Sequence, residues 1–139
     1  MNRSSWLVLS AALLGGLAVM WALSPRTPQA PAQVSRPATL SADALQGKRA
    51  YETHCARCHG AIGAGTEQGP PLAHRIYEPG HHADAAFHVA VRAGVRQHHW
   101  RFGNMPPQPE VSEAELRTII RYVREVQRAN GIGDGAHGS

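Results

Sequence analysis

Residues 55–59 read Cys55-Ala56-Arg57-Cys58-His59. Two thiols three positions apart, followed at once by an imidazole, match the C-x-x-C-H spacing for covalent attachment of a c-type haem. The spacing has a chemical reason. Each thiol adds to one porphyrin vinyl, so the two sulfurs must reach neighbouring edges of one ring. The adjacent imidazole then swings under the iron as an axial ligand. The chain has 2 cysteines, so no other disulfide framework competes for them. Rival uses of the pair fit less well. A thioredoxin-like pair belongs in a βαβ pattern, and no strand-rich flank surrounds this one. Structural zinc needs four ligands, usually from two such pairs, and there is no second pair. A disulfide between Cys55 and Cys58 would close a very short loop.

Upstream of the motif, a helix is predicted through Ala42–His54, with Ser41 or Asp43 as its N-cap. It delivers Cys55 and places Ala44, Gly47 and Tyr51 on one face. Downstream, a second helix is predicted from Asp84, taken as its cap, to a stop at Gly94. The third is the clearest. Ser112-Glu113-Ala114-Glu115 forms a capping box. Leu116, Ile119, Ile120, Val123 and Val126 make an apolar stripe, and Asn130-Gly131 ends it. Arg117, Arg121, Arg124 and Arg128 read as a solvated face, with partner docking as the sharper alternative. These elements define one small domain, residues 40–132, with 133–139 a disordered tail. Low aromatic content and few β-branched runs predict an all-α fold wrapped around a ligand. A flat apolar cofactor would supply core that so short a chain lacks.

Two long irregular loops, residues 60–82 and 95–111, are expected to wrap the cofactor. The second contains Met105. The iron needs a sixth ligand, and a thioether is a common one. Of 3 methionines, Met1 is the start and Met20 lies in an apolar run, which leaves Met105 in a proline-stiffened loop. A packing methionine is the bland alternative. Competing ligands are His74, His81, His82, His88, His98, His99 and, last, His54. The 9 histidines also raise a second metal site, such as copper, near the second helix. A polar, pH-responsive surface is the simpler account.

The N-terminal third is organised for export. Arg3 precedes an uncharged run of 18 residues, 6–23. That exceeds the roughly 7–15 residues of a cleaved signal core and approaches the roughly 20 that span a bilayer. Trp6 and Trp21 sit at interfacial positions. The length favours an uncleaved transmembrane signal-anchor in segment 1–23, N-in, over a cleaved signal cut near Ala30-Pro31-Ala32. Gly15-Gly16 needs no more explanation than the frequency of glycine in membrane helices. Residues 24–39, with prolines at 25, 28, 31 and 37, read as a linker. At about 3.1 Å per residue it holds a domain up to about 50 Å from the bilayer.

Taken together, Gly47 and Tyr51 before C-x-x-C-H, Gly69-Pro70-Pro71-Leu72 after it, Met105-Pro106, and a last helix with Ile119 and Tyr122 resemble a class I cytochrome c over residues 42–129. The resemblance implies that Gly47 and Tyr51 pack on Ile119 and Tyr122 where the first and last helices cross. It implies that the Pro70 carbonyl accepts a hydrogen bond from His59. It implies a haem-propionate contact from the Trp100 indole, with rim packing as the alternative. Thioether attachment of this kind resembles what bacteria carry out beyond the cytoplasmic membrane. The expected location is therefore that membrane, with the haem domain facing the periplasm, or the periplasm itself after cleavage.

A haem held covalently with both axial positions filled has no open position for substrate. The chain is therefore expected to be a one-electron carrier between redox proteins, not an enzyme, with no small-molecule substrate. From Leu40 onward 11 Lys/Arg face 10 Asp/Glu, a net of +1, which gives nucleic-acid binding no support. Two alternatives stand. One is a haem subunit of a larger membrane oxidoreductase complex. The other is a ligand sensor or enzyme with a labile sixth ligand.

Overall fold

The caps and stripes of the sequence decide where helices form. A computed structural model describes residues 33–133. Among these, four α-helices run in the order α1 (Ala42–His54), α2 (Ala56–His59), α3 (Asp84–Ala93) and α4 (Glu113–Ala129). A 3-10 turn spans Arg75–Tyr77. Among the described residues there is no strand, only an isolated antiparallel bridge between Val95 and Met105. The all-α expectation holds.

α1 begins where expected. The Ser41 hydroxyl accepts from the Ala44 N–H, and Ala44, Gly47 and Tyr51 are its buried face. α4 starts with the full capping box: the Ser112 side chain accepts from the Glu115 N–H, and the Glu115 carboxylate accepts from the Ser112 N–H. Each cap satisfies backbone donors that a helix start leaves without an intrahelical partner. α3 departs from expectation. Its N-cap is Ala83, which makes no side-chain cap bond, and Asp84 is the first helical residue. The Asp84 carboxylate is engaged elsewhere, with Arg124.

The core lies between α1 and α4. Gly47 is why they approach so closely: a Cβ there would sit 1.8 Å from the Thr118 carbonyl oxygen. Only glycine leaves room for that crossing. One turn on, the Tyr51 and Tyr122 rings meet at a 5.2 Å centroid distance, within the range for favourable aromatic pairs. Leu116, Ile119, Ile120, Val123 and Val126 are buried along α4. The crossing implied by the family resemblance is therefore the crossing observed.

One part of the sequence reading needs correction. Arg124 does not belong to the solvated face. Only 8 % of its side chain is exposed. Its guanidinium donates to Asp84 Oδ1 at 2.8 Å, the Tyr77 carbonyl at 2.7 Å, the Gln127 Oε1 at 2.7 Å and the His82 carbonyl at 2.6 Å. It also lies 5.0 Å from the Phe87 ring centroid. Gln127, fully buried, donates to the Leu72 and Tyr77 carbonyls. These two side chains satisfy the backbone of an irregular loop that passes beneath α4. Arg117, Arg121 and Arg128 are exposed as expected.

The distal end of the expected linker is docked on the domain. Val34 and Leu40 pack against the core. Ser35 and Asn130 exchange two hydrogen bonds of 2.8 and 2.9 Å. Among the described residues no helix is long and apolar enough to cross a membrane. The apolar run 6–23, the first part of the linker and the tail beyond residue 133 lie outside the described residues.

Candidate functional site

α1 ends at Cys55, which is also the N-cap of the single turn α2. The C-x-x-C-H motif is thus a helix end followed at once by a second short turn. This places Cys55, Cys58 and His59 on consecutive loops of one coil. The chain continues through Gly60 and folds back over the motif. The Gly65 N–H donates to the His59 carbonyl at 2.8 Å. The Thr66 hydroxyl donates to the Cys58 carbonyl at 2.6 Å. A Cβ on Gly69 would stand 2.9 Å from that same carbonyl oxygen, so only glycine lets the returning chain lie this close. The Tyr51 hydroxyl donates to the Gly60 carbonyl at 2.9 Å, which ties the turn to α1.

That return path brings Pro70 to His59. His59 Nδ1 lies 2.9 Å from the Pro70 carbonyl oxygen. A carbonyl can only accept, so Nδ1 carries the proton and Nε2 keeps its lone pair. This is the orientation that an axial imidazole needs. Burial lowers the His59 pKa, and the Pro70 hydrogen bond partly opposes that shift. The ring is therefore held neutral, in its ligating form.

Cys55 and Cys58 are free thiols, half-buried. Burial, with smaller contributions from Cys58 and Glu110, pushes the Cys55 thiol up to about 12. A reactive redox dithiol needs the opposite shift, towards thiolate. The environment of Cys55 therefore disfavours a thioredoxin-like use.

Met105 comes from the other loop. Val95 and Met105 exchange two backbone hydrogen bonds of 2.9 Å, which close residues 95–105 into a tight excursion. Its side chain packs half-buried on the edge of the core, as do Cys55, Leu72 and Phe87. Trp100 is in the same excursion. Its indole Nε1 is buried with no hydrogen-bond partner. Tyr77 lies close enough for the indole to offset part of the rise that burial causes in its pKa, yet no acceptor meets the N–H in hydrogen-bond geometry. A buried indole donor without an acceptor is uncommon, and an anionic group from a bound cofactor would satisfy it. The residues present therefore fit a haem: two thiols, an oriented imidazole, a half-buried apolar wall and an orphaned donor.

The competing histidines have other surroundings. His54 lies 4.0 Å from Glu110 and 3.9 Å from Glu115. His74 Nδ1 accepts from the Ile76 N–H, and its ring stands edge-on to Trp100 at 5.0 Å. His88 is 3.2 Å from Glu113. His81, His82, His98 and His99 cluster with one another. The reading from sequence missed Gln127 and the buried role of Arg124. Their signal was positional: both lie within one turn of the apolar stripe, at its edge.

A family model described as cytochrome c matches residues 44–127. No curated protein and no solved structure matches the chain significantly.

Proposed function

Because the chain belongs to the cytochrome c family, we propose that it is a one-electron carrier whose haem c is held by Cys55 and Cys58 and ligated by His59 and Met105. When bound, haem c supplies an iron that accepts and releases one electron. The protein residues do the rest. Cys55 and Cys58 tether the ring through thioether bonds. Pro70 holds the His59 ring with Nε2 free for the iron and makes it a better donor. Met105, fixed by its backbone bridge to Val95, offers a thioether from the opposite loop. A His/Met pair gives a higher potential than two imidazoles. Trp100 donates its unpaired N–H to a propionate. With His59 and Met105 both holding the iron, the chain would carry electrons and leave no open position for a substrate.

The observation that carries this reading is the 2.9 Å hydrogen bond between His59 and Pro70 beside two free thiols. Redox proteins would be the partners, meeting this domain through small, salt-sensitive interfaces. The apolar run 6–23 supports a place in the bacterial cytoplasmic membrane with the haem domain on the periplasmic side. Cleavage would give a soluble periplasmic form instead. The same run favours, as second reading, a tethered haem subunit of a larger oxidoreductase complex. Co-purification from detergent-solubilised membranes separates that subunit from a free shuttle.

The test is the ferric visible spectrum of wild type and Met105→Ala, followed by CO addition after reduction. A sulfur-to-iron charge-transfer band in wild type alone, with CO binding only to the variant, is the expected result. Identical spectra, or ready CO binding by wild type, would remove Met105 as ligand.

A further inference from the structure

Two loops of this domain converge on a group of imidazoles that the haem site does not use. His81 and His82 follow the 3-10 turn, and His98 and His99 lie in the excursion closed by Val95 and Met105. Ring centroids are 4.8 Å apart for His81 and His82, 5.4 Å for His81 and His99, and 5.3 Å for His82 and His99. His98 and His99 meet at 4.3 Å. One potential ligand nitrogen from each of His81, His82 and His99 lies within 4.8 Å of the others. The group contains no carboxylate.

Packing alone does not account for the cluster. His81, His98 and His99 are exposed, so the rings bury little apolar surface. Protonation would place like charges side by side, which is unfavourable. Neutral imidazoles carry no such cost, and the neutral ring is the form with a lone pair to give a metal.

The second observation is how two of the four rings, His82 and His98, are held. His82 Nδ1 lies 2.6 Å from the Ile76 carbonyl oxygen, and His98 Nδ1 lies 2.9 Å from that of Arg96. Each Nδ1 must carry its proton, so each Nε2 is left as a donor to a metal. An imidazole fixed through its other nitrogen is the usual arrangement around bound metals. The backbone at His82 is itself anchored, since the buried Arg124 donates to its carbonyl at 2.6 Å.

We propose that His81, His82 and His99 bind one divalent transition-metal ion, with His98 alongside to add a fourth donor. Metal–imidazole bonds are about 2.0–2.1 Å, so ligand nitrogens on one ion stand no more than about 4.2 Å apart. The observed spread closes with a small movement of the two exposed rings. An all-imidazole set suits copper(II) or zinc(II) and not magnesium or calcium, and copper(II) binds more tightly. The ion would join the loop of residues 77–82 to the loop that carries Trp100 and Met105. Metal occupancy would thus brace the segment that offers the second axial ligand.

The test is isothermal titration of the untagged, haem-loaded full chain with zinc(II), then with copper(II) followed by electron paramagnetic resonance. Wild type is expected to take up one ion per chain, copper(II) ahead of zinc(II), with a nitrogen coupling pattern from imidazoles. His81→Ala/His99→Ala should bind at least about tenfold more weakly, and His88→Gln should bind as wild type does. The two substituted rings are exposed, and an unchanged haem spectrum would show that the domain still folds. No uptake by wild type overturns the proposal. So does equal uptake by the double variant, or an equal loss in His88→Gln. Stoichiometry is read directly, so the result stands whether or not Met105 ligates the iron.

Discussion

Gly47 shows how much one missing methyl group can decide. Its Cα faces the backbone of α4, where a Cβ would stand 1.8 Å from the Thr118 carbonyl oxygen. Backbone cannot swing aside as a side chain can. Gly47→Ala should therefore force α1 and α4 apart and cost about 3 kcal/mol or more. Urea unfolding of the haem-loaded protein measures this, and a loss under about 1 kcal/mol would show that the crossing relaxes easily. Trp100 makes a different prediction. Its buried Nε1 has no partner among the described residues. If it donates to a propionate, Trp100→Phe leaves that anion less stabilised, so the iron feels more negative charge. The oxidised state gains, and the reduction potential should fall. A potential equal to wild type would assign Trp100 to rim packing alone. Cys55, Cys58 and His59 were legible at this scale because their spacing is itself the chemistry. Met105 is a candidate in the sequence only because no other methionine falls in the domain.

Among the elements, α4 does the most. It supplies the apolar stripe, the capping box and the polar pair Arg124 and Gln127. The buried guanidinium serves three oxygens besides Asp84. Arg124→Met strands those acceptors and should cost about 2–4 kcal/mol. Asp84→Asn should cost less than about 1 kcal/mol, because the Asp84 side chain is 64 % exposed and water can replace it. Equal losses in thermal or urea unfolding would mean that the ion pair matters more than the carbonyl contacts. The start of α4 gives a pH dependence. Hydrogen bonds from the Ser112 hydroxyl and backbone N–H hold the Glu115 carboxyl below its ordinary value. A carboxyl lowered on folding adds stability above its unfolded pKa and loses it as pH falls through the folded pKa. Wild type should exceed Glu115→Gln in stability at neutral pH, and the gap should close in acid below the usual carboxylate range. A gap independent of pH would mean that the charge contributes nothing. Helices α1 and α4 could be read from sequence because caps and periodic stripes are local signals. Helix α2 could not, since a single turn has no period. The start of α3 was misplaced by one residue because Asp84 suits a cap by type but is drawn to Arg124 by tertiary contact.

For the whole molecule, a domain of this size buries few large side chains by itself. Among the described residues, the largest fully buried side chains are Tyr51, Tyr122, Leu116, Gln127, Val111 and Val126, nearly all at or beside the α1–α4 crossing. The loops that carry Pro70, Trp100 and Met105 rest instead on glycine turns, polar hydrogen bonds and half-buried contacts. A group that binds only the folded chain stabilises it. A Cys55→Ser/Cys58→Ser chain, unable to attach haem, should keep some helix but melt at a much lower temperature and over a broader range in circular dichroism. A melting curve matching wild type would show that the protein core suffices. Neighbouring residues or a helical period are enough to specify the C-x-x-C-H motif, the all-α class and the two capped helices, whereas the close contact at Gly47 was implied only by the family resemblance. It took the folded chain to bury Arg124, to pair Asp84 with it, to carry Pro70 to His59, and to bring His81, His82 and His99 together. Those contacts join residues up to 47 positions apart along the chain, and the loops between them have no period from which a distance in space can be read.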